Sequence, residues 1–462
     1  KGLIFMVKYI KELYDSLNEK EPSIKEGDTL TIQGSVRSNR GNKEIGFLGV
    51  NDGSCFNPIQ VVYNPATDLE AGKAKLGEAV IVTGTFHLTP EMKQPFELHL
   101  TEFKVAGLVD DSYPLQKKKT SYEYLRTMPQ LRMRTNTFNA VFRIRSEASY
   151  AIHEYFHNHG FYYIHTPIFT GDDCEGAGQT FRVVTNLKEP DDFFGKPASL
   201  TVSGQLHVEP FAMAYEKVYT FGPTFRAEKS NTQRHAAEFW MIEPEIAFAD
   251  INDDMDLMED FLKFVVKRVM ERCSQDIKFF ETWVDKNLST RLNDFLTKPF
   301  TRVNYTEGIK ILQEAQKNGH KFQYPDIHWG IDLMSEHERY LTEEHFKGPI
   351  FLTDYPKDIK AFYMKQNPDG KTVAAVDLLL PEVGELCGGS QREEDYDKLL
   401  QRMKELNMNI EGYQWYLDLR RYGGCVHSGF GLGFDRLLMF LTGIQNIRDV
   451  QPYPRTYKEM QF

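Results

Sequence analysis

Cysteine is scarce in this chain, and the cysteines present do not pair by spacing. Cys55, Cys174, Cys273, Cys387 and Cys425 are scattered with no CxxC arrangement. Neither a structural zinc site nor a disulfide framework is indicated, and a reducing, cytoplasmic setting is expected. Long apolar runs are missing too. None approaches the length of a bilayer-spanning helix, and no secretory leader pattern opens the sequence, so no membrane association is expected. Internal repeats and low-complexity tracts are absent. Positive charge is in deficit: the net charge of -11 excludes a broadly basic surface. Any contact with nucleic acid must be local, as at Lys117-Lys118-Lys119 or Arg132-Met133-Arg134. What remains is a chain of 462 residues with ordinary apolar and charged fractions, long enough for more than one domain and a large core.

Tyr9, Ile10, Leu13, Tyr14 and Leu17 recur at helical spacing and predict a short lead-in helix within 1–26. Over 27–108 the pattern changes to short alternating segments at 29–36, 45–50, 59–63, 79–86 and 96–105. Turn clusters such as Asn51-Asp52-Gly53-Ser54 separate them. Short strands packed this densely predict a closed five-stranded β-barrel of the OB type. A charged hinge with Pro114 fills 109–130. From 131 to 462 the pattern is α+β, with a mainly antiparallel sheet flanked by helices. Val141, Ile144, Ala148, Ile152 and Phe156 mark a long helix closed by Gly160, followed by a strand ending near Pro167. Helices at 253–273 and 393–405 alternate with strands at 238–248 and 373–380.

Two segments carry chemistry. The first is Phe225-Arg226-Ala227-Glu228, a polar stretch, then Arg234-His235-Ala236-Ala237-Glu238-Phe239-Trp240-Met241-Ile242-Glu243. On a strand Arg226 and Glu228 share a face, as do Phe239, Met241, Glu243 and Glu245 on the returning strand. Such a hairpin presents a guanidinium, carboxylates and an aromatic ring to one cleft. Arginine suits phosphate because its planar fork binds two oxygens. By itself the hairpin fits an exposed ladder with cross-strand ion pairs equally well. The second segment is Gly429-Phe430-Gly431-Leu432-Gly433-Phe434-Asp435-Arg436. It is not the GxGxxG of a dinucleotide fold, since no βαβ unit surrounds it, and its helical continuation carries Arg436 in the first turn. Between them, Glu382 to Arg392 follows an apolar strand that starts near Asp377 and offers carboxylates of the kind that hold Mg²⁺. Gly388 and Gly389 let backbone approach a ligand. Together the segments supply two arginines and an aromatic on separate elements, as bound ATP requires at its α-phosphate, γ-phosphate and adenine.

Phe225-Arg226-x-Glu228 with Phe239 resembles motif 2 of the class II aminoacyl-tRNA synthetases, and Gly429 to Arg436 resembles motif 3. The helix and strand ending at Pro167 resemble motif 1, a dimerisation element. The barrel groups the chain with the aspartyl, asparaginyl and lysyl enzymes. Asp173 to Gly178, Ser203-Gly204-Gln205-Leu206, Phe239 to Glu245, Tyr355 to Tyr363, Asn446 to Val450 and Pro454-Arg455-Thr456 resemble the asparaginyl members. The tail after Thr456 departs from that pattern.

The resemblance implies ATP-dependent activation of L-asparagine and transfer to tRNA(Asn) by a homodimer. Arg226 would bind the α-phosphate and Arg436 the γ-phosphate, with Arg234 or His235 helping. Phe239 would sandwich adenine against Arg436, and Glu228 would help place the nucleotide. Glu385, with Asp377 as second candidate, would coordinate Mg²⁺. Glu175 and Gln205 would receive the main-chain end of the amino acid, Glu243 and Arg392 would read its side chain, and His427 would line the pocket. In the barrel, Phe47 would stack an anticodon base, with Arg37 and Gln60 reading edges. Aspartyl enzymes carry a lysine where Val208 stands, which favours asparagine over aspartate. The alternatives are an aspartyl enzyme of relaxed specificity, a non-catalytic RNA-binding relative, and an amide-forming synthetase. The last would have no use for the barrel.

Overall fold

A computed structural model describes residues 7–116, 118, 120–172, 174, 179–189, 191 and 193–462. The chain divides into two compact units, residues 1–144 with 273–279, and residues 145–272 with 280–462.

The first unit is built on five strands, β1 (Thr29–Gly41), β2 (Gly46–Asn51), β3 (Ile59–Tyr63), β4 (Ala79–Leu88) and β5 (Phe96–Gly107), closed in the order β1-β2-β3-β5-β4. The alternation that predicted them also fills the barrel: Ile59, Val61 and Tyr63 point inward on β3 while Gln60 and Val62 are half-buried. Ile32, Leu48, Val50, Val82, Phe86 and Leu98 complete the core. The helix Ile10–Ser16 adds Ile10 and Leu13 to that core. Asp52, in the turn after β2, fixes its start by accepting from the Ile10 amide at 2.7 Å. Beyond the barrel, Leu115, Leu125, Met128 and Phe138 form a small cluster, with the buried Arg132 guanidinium 4.4 Å from the Phe138 ring.

In the second unit the expected strand before Pro167 is broken. It becomes β6 (Tyr162–Tyr163), and the chain then enters a small three-stranded sheet of β7 (Phe169–Thr170), β8 (Arg182–Val183) and β9 (Ala198–Leu200). The main sheet adds β10 (Lys217–Phe225), β11 (Glu238–Ala247), β12 (Thr301–Asn304), β13 (Ile350–Pro356), β14 (Thr372–Leu380), β15 (Gly384–Gln391) and β16 (His427–Gly433). Its order is β12-β13-β14-β15-β16-β11-β10-β6. Only the outermost pairs, β12 with β13 and β10 with β6, run parallel. The helix Ile251–Arg272 buries Met255, Met258, Phe261, Leu262, Val265 and Val269 at three- and four-residue spacing, packing against β14, β15 and β16. No helix among the described residues is long and apolar enough to cross a membrane.

Candidate active site

The hairpin of β10 and β11 pairs Phe225 with Glu238 and Thr224 with Phe239. One further bond, Arg226 N–H to the Ala237 carbonyl at 3.0 Å, extends the ladder, and then Ala227 N–H turns to the Gln179 carbonyl. Arg226 and Glu228 therefore do not share a strand face as the spacing suggested. They lie on the connection after the strand, which bends because its amide finds a partner elsewhere. The C-terminal segment holds this connection: Ala237 donates to the Arg455 carbonyl, Ile447 donates to the Gln233 carbonyl, and Arg448 reaches Asn231 and the Thr232 carbonyl.

β16 runs beside β11, pairing Glu245 with Gly429 and Met241 with Gly433. A Cβ on Gly429 would lie 2.2 Å from Glu245 Oε2, and one on Gly431 2.8 Å from Met241 Cε. The glycines keep this face clear while Ser428, Phe430 and Leu432 are buried. The helix Phe434–Thr442 then begins with Asp435, buried and paired with Arg145 at 2.6 Å and Gln451 at 3.1 Å, which anchors the turn that carries Arg436.

The result is a cavity of about 150 Å³ lined by Arg226, Glu228, Arg234, His235, Phe239 and Arg436, with Glu385 and Tyr457 also on its wall. The Arg226 guanidinium lies 5.4 Å from the centre of the Phe239 ring, and Arg436 donates to the Glu385 carbonyl at 3.2 Å. Burial, and then the neighbouring Arg436, hold Arg234 below its ordinary pKa; burial and the arginines likewise lower that of His235. Three guanidinium groups round one small cavity suit a polyphosphate.

On the acidic side Asp377 is paired with Lys360 at 2.6 Å. Glu338, which the sequence did not single out, receives the Glu385 amide at 3.4 Å. Burial and the charges of Glu385 and Asp377 push the Glu338 pKa up to about 7. Gly388 faces Asp377 and Glu385, but Gly389 does not line this space. A Cβ on Gly389 would meet Met258 and Asp254, so it is a packing position beneath the helix Ile251–Arg272.

The residues expected at the amino-acid end are buried and largely committed. Glu243 accepts from Ser203 Oγ and from the Gly204 amide at 2.9 Å; burial raises its pKa. Arg392 forks onto Glu245, with Nε and Nη2 each at 2.9 Å, and gives Nη1 to Ser390 at 2.7 Å. Gln205 and His427 both donate to Glu209 at 3.0 Å. Val208 sits in an apolar cluster with Ala212 and Val218. Glu175 lies outside the described residues.

Below Gly389, both Asp254 carboxylate oxygens are buried and find no hydrogen-bond partner among the described residues, and burial raises the pKa of this group well above the usual range. The folded state therefore holds a proton that the unfolded chain has released above about pH 4. Stability is complete below that pH and falls as pH rises toward the folded value. Against wild type, Asp254→Asn is expected to gain about 1.4 kcal/mol per pH unit across that window. Chemical denaturation from pH 4 to 8 measures it; a difference that does not change with pH would contradict it.

In the barrel, Phe47 is half-buried and lies outside the core, opposite Arg40, whose guanidinium is 5.9 Å from its ring. Gln60 accepts from Arg40 at 3.4 Å and donates to Glu97 at 3.1 Å. Arg37 is turned away, donating to the Arg134 carbonyl and to Asn136. Arg40 is thus the basic residue beside Phe47, which the sequence did not mark.

Residues 121–457 match the model of the tRNA synthetases class II (D, K and N), and residues 20–106 match an OB-fold nucleic acid binding domain. The chain belongs to the class II tRNA synthetases of that group, a family that uses ATP. Among particular relatives, it is 54% identical to the asparagine–tRNA ligase of Clostridium perfringens, over 98% of this chain and 99% of that one. The asparagine–tRNA ligase of Bacillus cereus is likewise 54% identical, over 94% of this chain and 96% of its own. The crystal structure of asparaginyl-tRNA synthetase from Pyrococcus horikoshii complexed with asparaginyl-adenylate superposes with a TM-score of 0.84 at 34% identity. It covers 98% of this chain and 99% of that chain.

Proposed function

We propose that this chain activates L-asparagine with ATP and transfers it to the 3′ end of tRNA(Asn). The observation that carries this reading is the gathering of Arg226, Phe239 and Arg436 round one cavity, in a chain whose full-length relatives bear that name. The asparagine carboxylate attacks the α-phosphate, the bond to the β-phosphate oxygen breaks, and pyrophosphate leaves. A ribose hydroxyl of the tRNA end then attacks the adenylate and AMP leaves. No protein nucleophile is required; catalysis is positioning and charge stabilisation. Arg226 serves the α-phosphate, where negative charge builds. Arg436 serves the γ-phosphate with Arg234 or His235, Phe239 stacks adenine, and Glu228 helps place it. Mg²⁺ supplies charge neutralisation of the phosphates when bound. Glu385 and Glu338 fit it, since two crowded carboxylates are relieved by a dication, whereas Asp377 is already matched by Lys360.

Gln205 and Glu175 receive the main-chain end of asparagine; Glu243, Arg392 and His427 shape the side-chain pocket. The second copy of a homodimer would cover the sheet edge at β6, where Tyr162 and Tyr163 are 56% and 41% exposed. Domain roles follow: anticodon recognition at 27–108, a hinge at 109–130 and catalysis at 131–462, in a reducing cytoplasm. The test is amino-acid-dependent ATP–pyrophosphate exchange with Mg²⁺, run across the common amino acids. Asparagine is expected to drive it, and a different preferred amino acid would overturn the reading.

The barrel has its own test. A base stacked on an aromatic is worth about 1–3 kcal/mol, so Phe47→Ala is expected to weaken charging of tRNA(Asn) while exchange stays near wild type. If both activities fell together, Phe47 would be a folding residue.

A further inference from the structure

Beneath the amino-acid pocket lies a buried hub whose centre, Glu209, no sequence motif marks. Glu209, fully buried on the helix Gln205–Tyr215, fills both carboxylate oxygens. Oε1 accepts from Gln205 Nε2 at 3.0 Å and Tyr416 Oη at 2.8 Å. Oε2 accepts from Arg420 Nη2 at 3.1 Å and faces His427 Nε2 at 3.0 Å. Arg420 in turn donates to the Glu393 carbonyl, next to Arg392, at 2.8 Å. Burial alone would raise the Glu209 pKa, but Arg420 and the His427 hydrogen bond outweigh it and hold the group well below the usual range. Glu209, Glu245 and His427 lie within a few ångströms of one another, yet Arg392 already fills both Glu245 oxygens, so this is an arginine-neutralised network and not a cation site.

An ionised carboxylate can only accept. It therefore fixes which end of the Gln205 amide it meets: Nε2 faces Glu209, and Oε1 is turned away from it. An α-ammonium needs an acceptor, and Oε1 is one. His427 is constrained in the same manner, because its other ring nitrogen faces the Cys425 carbonyl at 2.7 Å. Both of its nitrogens meet protein oxygens, so it shapes the pocket by packing.

We propose that Glu209 is a positioning residue for the amino acid, holding the Gln205 amide with its oxygen presented to the substrate α-ammonium. This rests on the reading of Gln205 given above. Glu209→Gln replaces the acceptor by an amide that can pair with Gln205 either way round, so the orientation is no longer set. Glu209→Asp keeps the charge but withdraws it by one methylene, and serves as the second variant should the first not fold.

The readout is isothermal titration of asparagine and of succinamate, which is asparagine without its α-amino group. Both variants are expected to lose about tenfold in affinity for asparagine, the scale of one misplaced hydrogen bond to a charged group. Affinity for succinamate should stay within about twofold, since that ligand makes no such bond. Equal losses for the two ligands, no loss for either, or failure of both variants to fold would overturn the proposal. The wild type separates the underlying readings. If it fails to bind asparagine, the assignment of substrate falls. If it binds asparagine no better than succinamate, the role of Gln205 falls.

Discussion

Aspartate is expected to drive pyrophosphate exchange on the order of 10⁴-fold less efficiently than asparagine, the scale at which a site built for a polar group rejects an analogue lacking it. The two substrates are nearly isosteric, so shape cannot separate them. Charge can. Glu209, Glu243 and Glu245 are all buried at this end of the cleft, against Arg392, Arg420 and His427. Arg392 already has its counterion: Glu245 accepts from Nε and Nη2, and Ser390 accepts from Nη1. A substrate carboxylate would be a further buried anion without a counterion, whereas a carboxamide brings two donors to a region rich in acceptors. The position of Val208, which the sequence offered as the missing lysine, supports this by default, since its apolar cluster supplies no cation. Measuring kcat/KM for both amino acids on the same preparation decides it. Comparable values would mean that the pocket repacks round an anion.

Arg226→Ala is expected to slow adenylate formation by about 10²–10³-fold, the usual cost of removing one donor aimed at developing charge. The fold should survive, because Arg226 stands on the connection after β10 and is not part of the sheet core. Its neighbours Arg234 and Arg436 would still attract the triphosphate, so the loss should appear in kcat more than in the KM for ATP. Single-turnover formation of adenylate measures the step directly. Near-wild-type rates in a folded variant would leave Arg226 a mere partner of the Phe239 ring.

Much of the architecture was legible because it is written in local periodicity. The alternation that marks 59–63 is the alternation that fills the barrel, and the spacing in 253–273 is that of a helix laid on a sheet. Phe225 to Phe239 and Gly429 to Arg436 were legible because each is contiguous. The errors also have local causes. The sequence shows Gly388 and Gly389 as a pair, but neighbours on a strand point to opposite faces, and only the first faces the acidic cluster. The two-residue spacing of Arg226 and Glu228 suggests a strand, but the strand ends at Phe225 because the Ala227 amide leaves the hairpin for the Gln179 carbonyl. The pairing of the buried charged residues left no trace in the sequence, although Gln205, Arg392 and His427 were marked singly by the resemblance. Arg392 and Glu245 are 147 positions apart, Arg420 and Glu209 211, and Arg145 and Asp435 290. No period links partners at such distances, so buried ion pairs are found by folding and not by reading.

The connection that carries Arg226 is tied down by Ile447, Arg448 and Arg455. Arg436 itself comes late in the chain. During synthesis the ribosome makes Arg226 and Phe239 long before any of these, so a growing polypeptide exposes half of the proposed ATP site before the residues that shape it exist. On the proposed function, adenylate chemistry needs Arg436 and the ties from Ile447 to Arg455, so a chain abandoned before about residue 455 is expected to be silent in it even if its barrel has folded.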